Sequence, residues 1–233
     1  MKRVAIALFG GSGERFGSSE PKQFIMLGDA PMLVVTLRGL SSCEEVDEIY
    51  VVAKPDTMER THDLITQYRI RKVKAIIPGG KTREDSVYSA LRYLDQIRID
   101  YDDLVLIQDG DRPNIDREIV KQNFEAAREM EAAVTAIPAT DSILSSELGI
   151  EIDAYKPRAI IYYAQTPQTF RFGLLYRCFD LAKRQKKLDM FTDDGSLVKS
   201  YGHKVKIVPG KRSNVKITTK LDLATYFEGR VYE

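Results

Sequence analysis

Tryptophan is absent from the 233-residue chain, and cysteine and histidine occur only twice each. Cys43 and Cys178 lie far apart and outside any CxxC pattern, which excludes a disulfide framework and a cysteine-based zinc site. Both read as buried thiols of a reducing compartment, so a cytoplasmic location is expected. His62 and His203 are too few for a histidine metal cluster and leave a Ser-His-Asp triad hard to build; both read as surface residues. Long hydrophobic runs are also missing. The apolar stretch from Val4 to Phe9 meets glycines at once, too early for a signal peptide or a membrane span, so it reads as a strand. Nor does one sign of charge dominate: 35 Lys and Arg face 34 Asp and Glu, leaving a formal charge of +1. Without a block of like charges, neither nucleic acid nor a membrane surface is the expected partner; a small molecule is.

What is present alternates. Short β-prone runs recur at 3–9, 48–53, 73–78, 104–109, 132–138 and 204–210, each bounded by Gly, Pro or Asp and apolar on both faces. Strands covered by helices on both sides look like this. Between them lie helix-spaced apolar sets: Leu33, Leu37 and Leu40; Val87, Ala90, Leu91 and Leu94; Val120, Phe124 and Ala127; Leu174, Leu175, Cys178 and Ala182. The pattern predicts an α/β fold with a mostly parallel twisted sheet and a ligand at the carboxyl ends of the strands. No repeat or linker interrupts it, so residues 1–233 read as one domain. From Thr140 to Ala164 the rhythm breaks into β-prone pieces around Leu148-Gly149. This predicts a protruding β-hairpin arm over 139–164, which pairs with a second subunit as a homodimer.

The segment "LFGGSGERFGSSEPKQF" (8–24) follows the first strand, and Gly10, Gly11 and Gly13 are placed to offer backbone N–H groups to a phosphate. A Walker A string, GxxxxGK[ST], does not occur, and the second strand ends "VVAKP" with no acid to hold a dinucleotide ribose. Two cations are there instead, Arg15 behind the glycines and Lys22 after a proline. Amides, a guanidinium fork and an ammonium together suit a triphosphate attacked at its α-phosphorus. Ordinary surface charge is the plainer alternative for both cations, and other segments have to decide.

Those segments are "PGGKTREDSV" (78–87), "QDGDRP" (108–113), "TPQTF" (166–170), "TDDGSLV" (192–198) and "NVKIT" (214–218). Together with the glycine loop, and in this order over nearly the whole chain, they resemble the 2-C-methyl-D-erythritol 4-phosphate cytidylyltransferases and the related ribitol 5-phosphate cytidylyltransferases. The resemblance implies a Rossmann-like three-layer nucleotidyltransferase fold. It also implies transfer of a cytidylyl group from CTP to a polyol phosphate, with release of pyrophosphate; methylerythritol phosphate would place the reaction in isoprenoid biosynthesis. By the same resemblance Arg15, Lys22 and Lys216 are the catalytic cations. Gly10, Gly11, Gly13, Gly80, Lys81, Ser86, Asp109 and Gly110 contact the nucleotide, and Asp109 serves a Mg²⁺ ion bound to the triphosphate. Asp141, Ser142 and Arg158 lie in the arm and, in that family, complete the neighbouring subunit's acceptor site; Thr166, Thr192 and Thr218 add hydroxyls around the acceptor.

Local rules offer plainer roles beside these. Thr82 and Asp85 resemble a capping box, Asp109 suits a turn, and Asp193 and Asp194 suit a helix cap. The chain also departs from the family pattern. Gln108 replaces a His, Asp111 a small residue, and Phe9 another small residue beside the nucleotide loop. "TDDGSLV" favours the methylerythritol enzymes, whereas "FGGSG" is closer to the ribitol enzymes; methylerythritol phosphate is the favoured acceptor. A sugar-1-phosphate nucleotidyltransferase, a nucleotide-binding paralogue without activity and an oxidoreductase stand as rivals.

Overall fold

The first strand, β1 (Arg3–Phe9), carries the logic of the fold. Val4, Ile6 and Leu8 enter one buried cluster and Ala5, Ala7 and Phe9 another, because successive side chains point to opposite faces and both faces are covered. In the computed structural model, which describes residues 1–11, 16 and 20–231 (228–231 by backbone alone), β1 is followed by two short strands, β2 (Met26–Leu27) and β3 (Ala30–Pro31). Then come α1 (Met32–Ser42), β4 (Glu48–Ala53), α2 (Met58–Gln67), β5 (Val73–Pro78), α3 (Arg83–Gln96), β6 (Leu104–Asp109), α4 (Arg117–Met130) and β7 (Ala132–Pro138). The arm follows as β8 (Ile143–Ser145) and β9 (Ala154–Lys156). The chain closes with β10 (Tyr162–Arg171), α5 (Phe172–Arg184), α6 (Asp194–Ser200), β11 (Lys206–Pro209) and α7 (Lys220–Val231).

Seven strands form one sheet in the order β11-β7-β10-β6-β1-β4-β5. All its pairings are parallel except those of β10, which runs against β6 and β7. On one face the sheet is covered by α3 and α5, through Val87, Leu91, Leu94, Leu174, Leu175 and Phe179. On the other it is covered by α1 and α4, through Leu33, Leu37, Leu40, Val120 and Phe124. The expected three-layer α/β architecture is therefore present, and the apolar stripes read from the sequence are its core. Cys43 and Cys178 sit in these two clusters as free thiols; burial pushes each thiol pKa up to about 11. A third cluster joins Phe16, Leu27 and Met32 to Ile217 and Tyr226, so the C-terminal segment packs back near the first loop.

β10 is not among the expected runs, and Pro167 is the residue that interrupts its strand pattern. The register of β10 against β7 shifts between Ala164 and Gln168, and the proline falls in that irregularity. Tyr162, Tyr163 and Ala164, read as the end of the arm, already belong to β10. The hairpin itself is present: Ile143 faces Lys156, Leu144 faces Tyr155 and Ser145 faces Ala154. Gly149 lies in its connection with a φ of 70°, a conformation that glycine adopts without strain. Near the opposite end of the chain the last sheet strand is shorter than expected, Lys206–Pro209.

Candidate functional site

Register brings four strand ends level. Phe9 pairs with Ala53, Ala53 with Pro78, and Leu8 with Asp109, so the segments leaving β1, β4, β5 and β6 open onto one edge of the sheet. There they line a cleft of about 640 Å³, the place where parallel sheets gather ligands. Gly10, Gly11, Lys22, Gly80, Lys81, Ser86, Asp109, Gly110, Lys216 and Thr218 all face it. Gly13 and Arg15 lie outside the described residues.

The glycines keep the cleft open in different ways. A side chain on Gly80 would collide with Asp85, and one on Gly110 would meet the Phe9 ring at 2.3 Å. Phe9 itself is 4 % exposed, belongs to the buried cluster with Phe24 and Leu33, and also lines the cleft. Ser86 is buried and spends its hydroxyl locally, donating to the Thr82 carbonyl at 2.9 Å and accepting from the Gly80 N–H at 3.1 Å. It shapes the turn. Thr82 caps α3 by accepting from the Asp85 N–H at 3.0 Å, but the reciprocal half of a capping box is replaced by an ion pair between Asp85 and Lys183.

Asp109 is the electrostatic centre. Its Oδ1 accepts from Arg83 Nε at 3.1 Å and its Oδ2 from Lys216 Nζ at 2.8 Å, while Arg112 Nε stands 3.9 Å away. Burial pushes this carboxyl pKa up, yet Arg83, Lys216 and Arg112 together outweigh it and hold the group well below the usual carboxylate range. Asp111, two residues on, takes Lys22 Nζ at 2.6 Å on its Oδ2. Lys22 and Lys216 thus arrive from opposite ends of the sequence at adjacent carboxylates of one turn. Gln108 is fully buried and closes that turn, donating from Nε2 to the carbonyls of Asp109 and Arg112.

Two residues without an assigned role in the sequence reading stand out. Arg83 lines the cleft and grips Asp194 with both terminal nitrogens, at 3.2 and 2.7 Å, while its Nε holds Asp109. Burial would lower the guanidinium pKa, but Asp194 and then Asp109 raise it above the ordinary arginine value. No local pattern marks this pairing, whose partners lie 111 positions apart. Lys54 also faces the cleft. Its signal was available, since it follows β4 in the very string, "VVAKP", that lacks a ribose-binding acid.

The acceptor-side residues are dispersed. Thr166 is not open to a ligand: it is buried, and its Oγ1 accepts from the Asp109 N–H at 3.1 Å, supporting the turn from below. Thr192 is exposed and outside the cleft lining. Thr218 lines the cleft with its hydroxyl donating to Asp222 at 2.7 Å. Asp193, not Asp194, caps α6, in a reciprocal capping box with Ser196. Asp141, Ser142 and Arg158 are exposed on the arm and do not line the cleft; Arg158 donates to the Thr140 carbonyl at 2.7 Å. For a metal, the cleft's carboxylates among the described residues lie on one turn, and no group of three or more His, Cys, Asp or Glu among those residues is placed to hold an ion. No helix among the described residues is long and apolar enough to cross a membrane.

Comparison with known proteins agrees with this arrangement. Residues 4–227 match the family model described as IspD: 2-C-methyl-D-erythritol 4-phosphate cytidylyltransferase. Proteins of that name from Thermosipho melanesiensis and Geotalea uraniireducens are 37% and 38% identical to this chain, over 94% and 96% of it and 94% of each relative. Among solved structures, 4-diphosphocytidyl-2C-methyl-D-erythritol synthase from Anaerococcus prevotii superposes with a TM-score of 0.82 at 28% identity, covering 100% of this chain and 96% of that one. The Francisella tularensis 2-C-methyl-D-erythritol 4-phosphate cytidylyltransferase gives 0.83 at 26% identity, covering 98% and 99%.

Proposed function

We propose that this chain, which belongs to the 2-C-methyl-D-erythritol 4-phosphate cytidylyltransferase family, binds CTP in the strand-end cleft and transfers its cytidylyl group to 2-C-methyl-D-erythritol 4-phosphate, a step of isoprenoid biosynthesis. A phosphate oxygen of the acceptor attacks the α-phosphorus of CTP, the new P–O bond forms, and the bond to the β-phosphate breaks with its electrons leaving on pyrophosphate. Both reactants are anions, so the protein's task is to gather cations and hold the groups in line. The observation that carries the reading is the meeting of Lys22 and Lys216 at the Asp109–Asp111 turn, in the cleft that the Gly80 turn also lines. Each ammonium can leave its carboxylate for a phosphate oxygen, and each stabilises charge growing on the α-phosphate and the departing pyrophosphate. Arg83 and Thr166 keep the turn fixed while this happens. The ribitol phosphate and non-catalytic readings gain no support from the relatives compared.

Magnesium belongs to the proposal as a metal that arrives with the triphosphate. One buried acid fits such an ion, which takes most of its ligands from phosphate and water, whereas a resident cage would need more acids. Asp109 would hold it, and the ion would supply charge neutralisation at the phosphates.

The acceptor end we assign to the arm, acting across a homodimer. Leu148 is 83% exposed, Ile150 82% and Ile160 71%, apolar surface of the kind that subunits cover. Ser142 and Arg158 would then face the partner's cleft. The buried free thiols agree with a cytoplasmic location. Pyrophosphate release from CTP, magnesium and 2-C-methyl-D-erythritol 4-phosphate tests the reading: release should require all three, and equal release with UTP or GTP, or with ribitol 5-phosphate as acceptor, contradicts it.

A further inference from the structure

In the reaction as proposed Asp111 contacts neither reactant and serves only as the resting partner of Lys22, on the wall of the cleft. Its Oδ2 receives Lys22 Nζ at 2.6 Å, and its Oδ1 is buried with no hydrogen-bond partner among the described residues, 4.0 Å from Lys216 Nζ. The side chains of the Lys22–Asp111 pair are only 15% and 16% exposed, so solvent screens their interaction weakly. The two partners differ in freedom. Asp111 is fixed by its backbone: its carbonyl accepts from the Ile217 N–H at 2.8 Å, and neighbouring Gly110 both donates to Leu8 and accepts from the Thr36 hydroxyl at 2.9 Å. Lys22 carries its charge on a flexible four-carbon stem that can swing to a nearby acceptor.

We infer that Asp111 is a displaceable internal counterion, which holds the Lys22 ammonium between turnovers, yields it to phosphate oxygens when a triphosphate enters and takes it back as pyrophosphate leaves. The inference rests on the cytidylyltransferase reading. Its consequence has a definite sign. A fixed anion beside the phosphate path repels triphosphate and pyrophosphate and competes for their cation, so it weakens the binding of both and speeds product release. The base and ribose, being uncharged, do not feel it.

The test is calorimetric titration of the full-length protein in magnesium-free buffer with CTP, pyrophosphate and cytidine, for the wild type, Asp111→Asn and Asp111→Ala. Asparagine keeps the shape and removes the charge; alanine removes both and guards against a misplaced amide. Either folded variant should bind CTP and pyrophosphate about fivefold tighter or more, with cytidine unchanged and inhibition by pyrophosphate strengthened in step. Binding that is unchanged or weaker in both variants overturns the inference and leaves Asp111 a support for Lys22. A wild-type protein that binds neither CTP nor pyrophosphate even after magnesium is restored instead removes the cytidylyltransferase reading itself.

Discussion

The cleft and the arm solve opposite problems. At the cleft, Lys22, Arg83, Asp109, Asp111 and Lys216 are paired with one another or with Asp194 within one chain, most of them largely buried. On the arm, Leu148, Ile150 and Tyr155 stand in solvent on a two-stranded ribbon of three residues a side, and the charged groups around them are exposed. The difference teaches which half of the chemistry the chain holds alone. On the proposed reading nucleotide binding needs no second copy, because Lys22, Arg83 and Lys216 are each oriented by acids of the same chain. The acceptor residues of the arm, Asp141, Ser142 and Arg158, are exposed instead, and the proposal has a second copy receive them at its cleft.

Breaking the buried side of this contrast has the largest expected effect. Asp194→Ala leaves the Arg83 fork unpaired beside Asp109 and should lower stability by about 3–5 kcal/mol in denaturant melts. An equal loss from Asp141→Ala on the arm would erase the distinction. Lys216→Ala should leave the fold intact by circular dichroism and reduce kcat/KM by about 10²–10³-fold, the cost of removing one transition-state charge.

Asp109→Asn sharpens the electrostatic half through pH. Since the native carboxyl pKa lies below its unfolded value, its stabilisation is complete above about pH 4 and is lost as pH falls toward the native value. The stability gap between wild type and variant should be full at pH 7 and close below about pH 4. A gap that closed near neutrality would mean Asp109 is not held by its three cations. The smallest change in stability is expected at the arm. Leu148→Asp with Ile150→Asp should shift the protein to monomer by light scattering while moving the melting temperature by only a degree or two, since exposed positions contribute within about 0.5 kcal/mol.

Much of this was legible beforehand, for physical reasons. Strands β1, β4, β5, β6 and β7 begin and end where alternating apolar runs meet Gly, Pro or Asp, and the helical stripes mark the faces that cover them. The cleft-lining residues were legible because they cluster in short motifs at strand ends, which topology then brings together. What stayed hidden depends on distance or on exceptions. β10 was concealed by Pro167, which a register shift accommodates. The Arg83–Asp194 pair was concealed because a local rule, helix capping, already explained Asp194. Thr166 looked like a ligand hydroxyl and is a buried brace, which only the packing of β10 against β6 reveals.

The contrast between the two regions is tested most directly by CTP titration of Arg158→Ala and Lys216→Ala beside the wild type. The account predicts that Arg158→Ala binds CTP with wild-type affinity while failing to turn over methylerythritol phosphate, and that Lys216→Ala binds CTP at least about tenfold more weakly. Equal loss of CTP affinity in the two variants would contradict it.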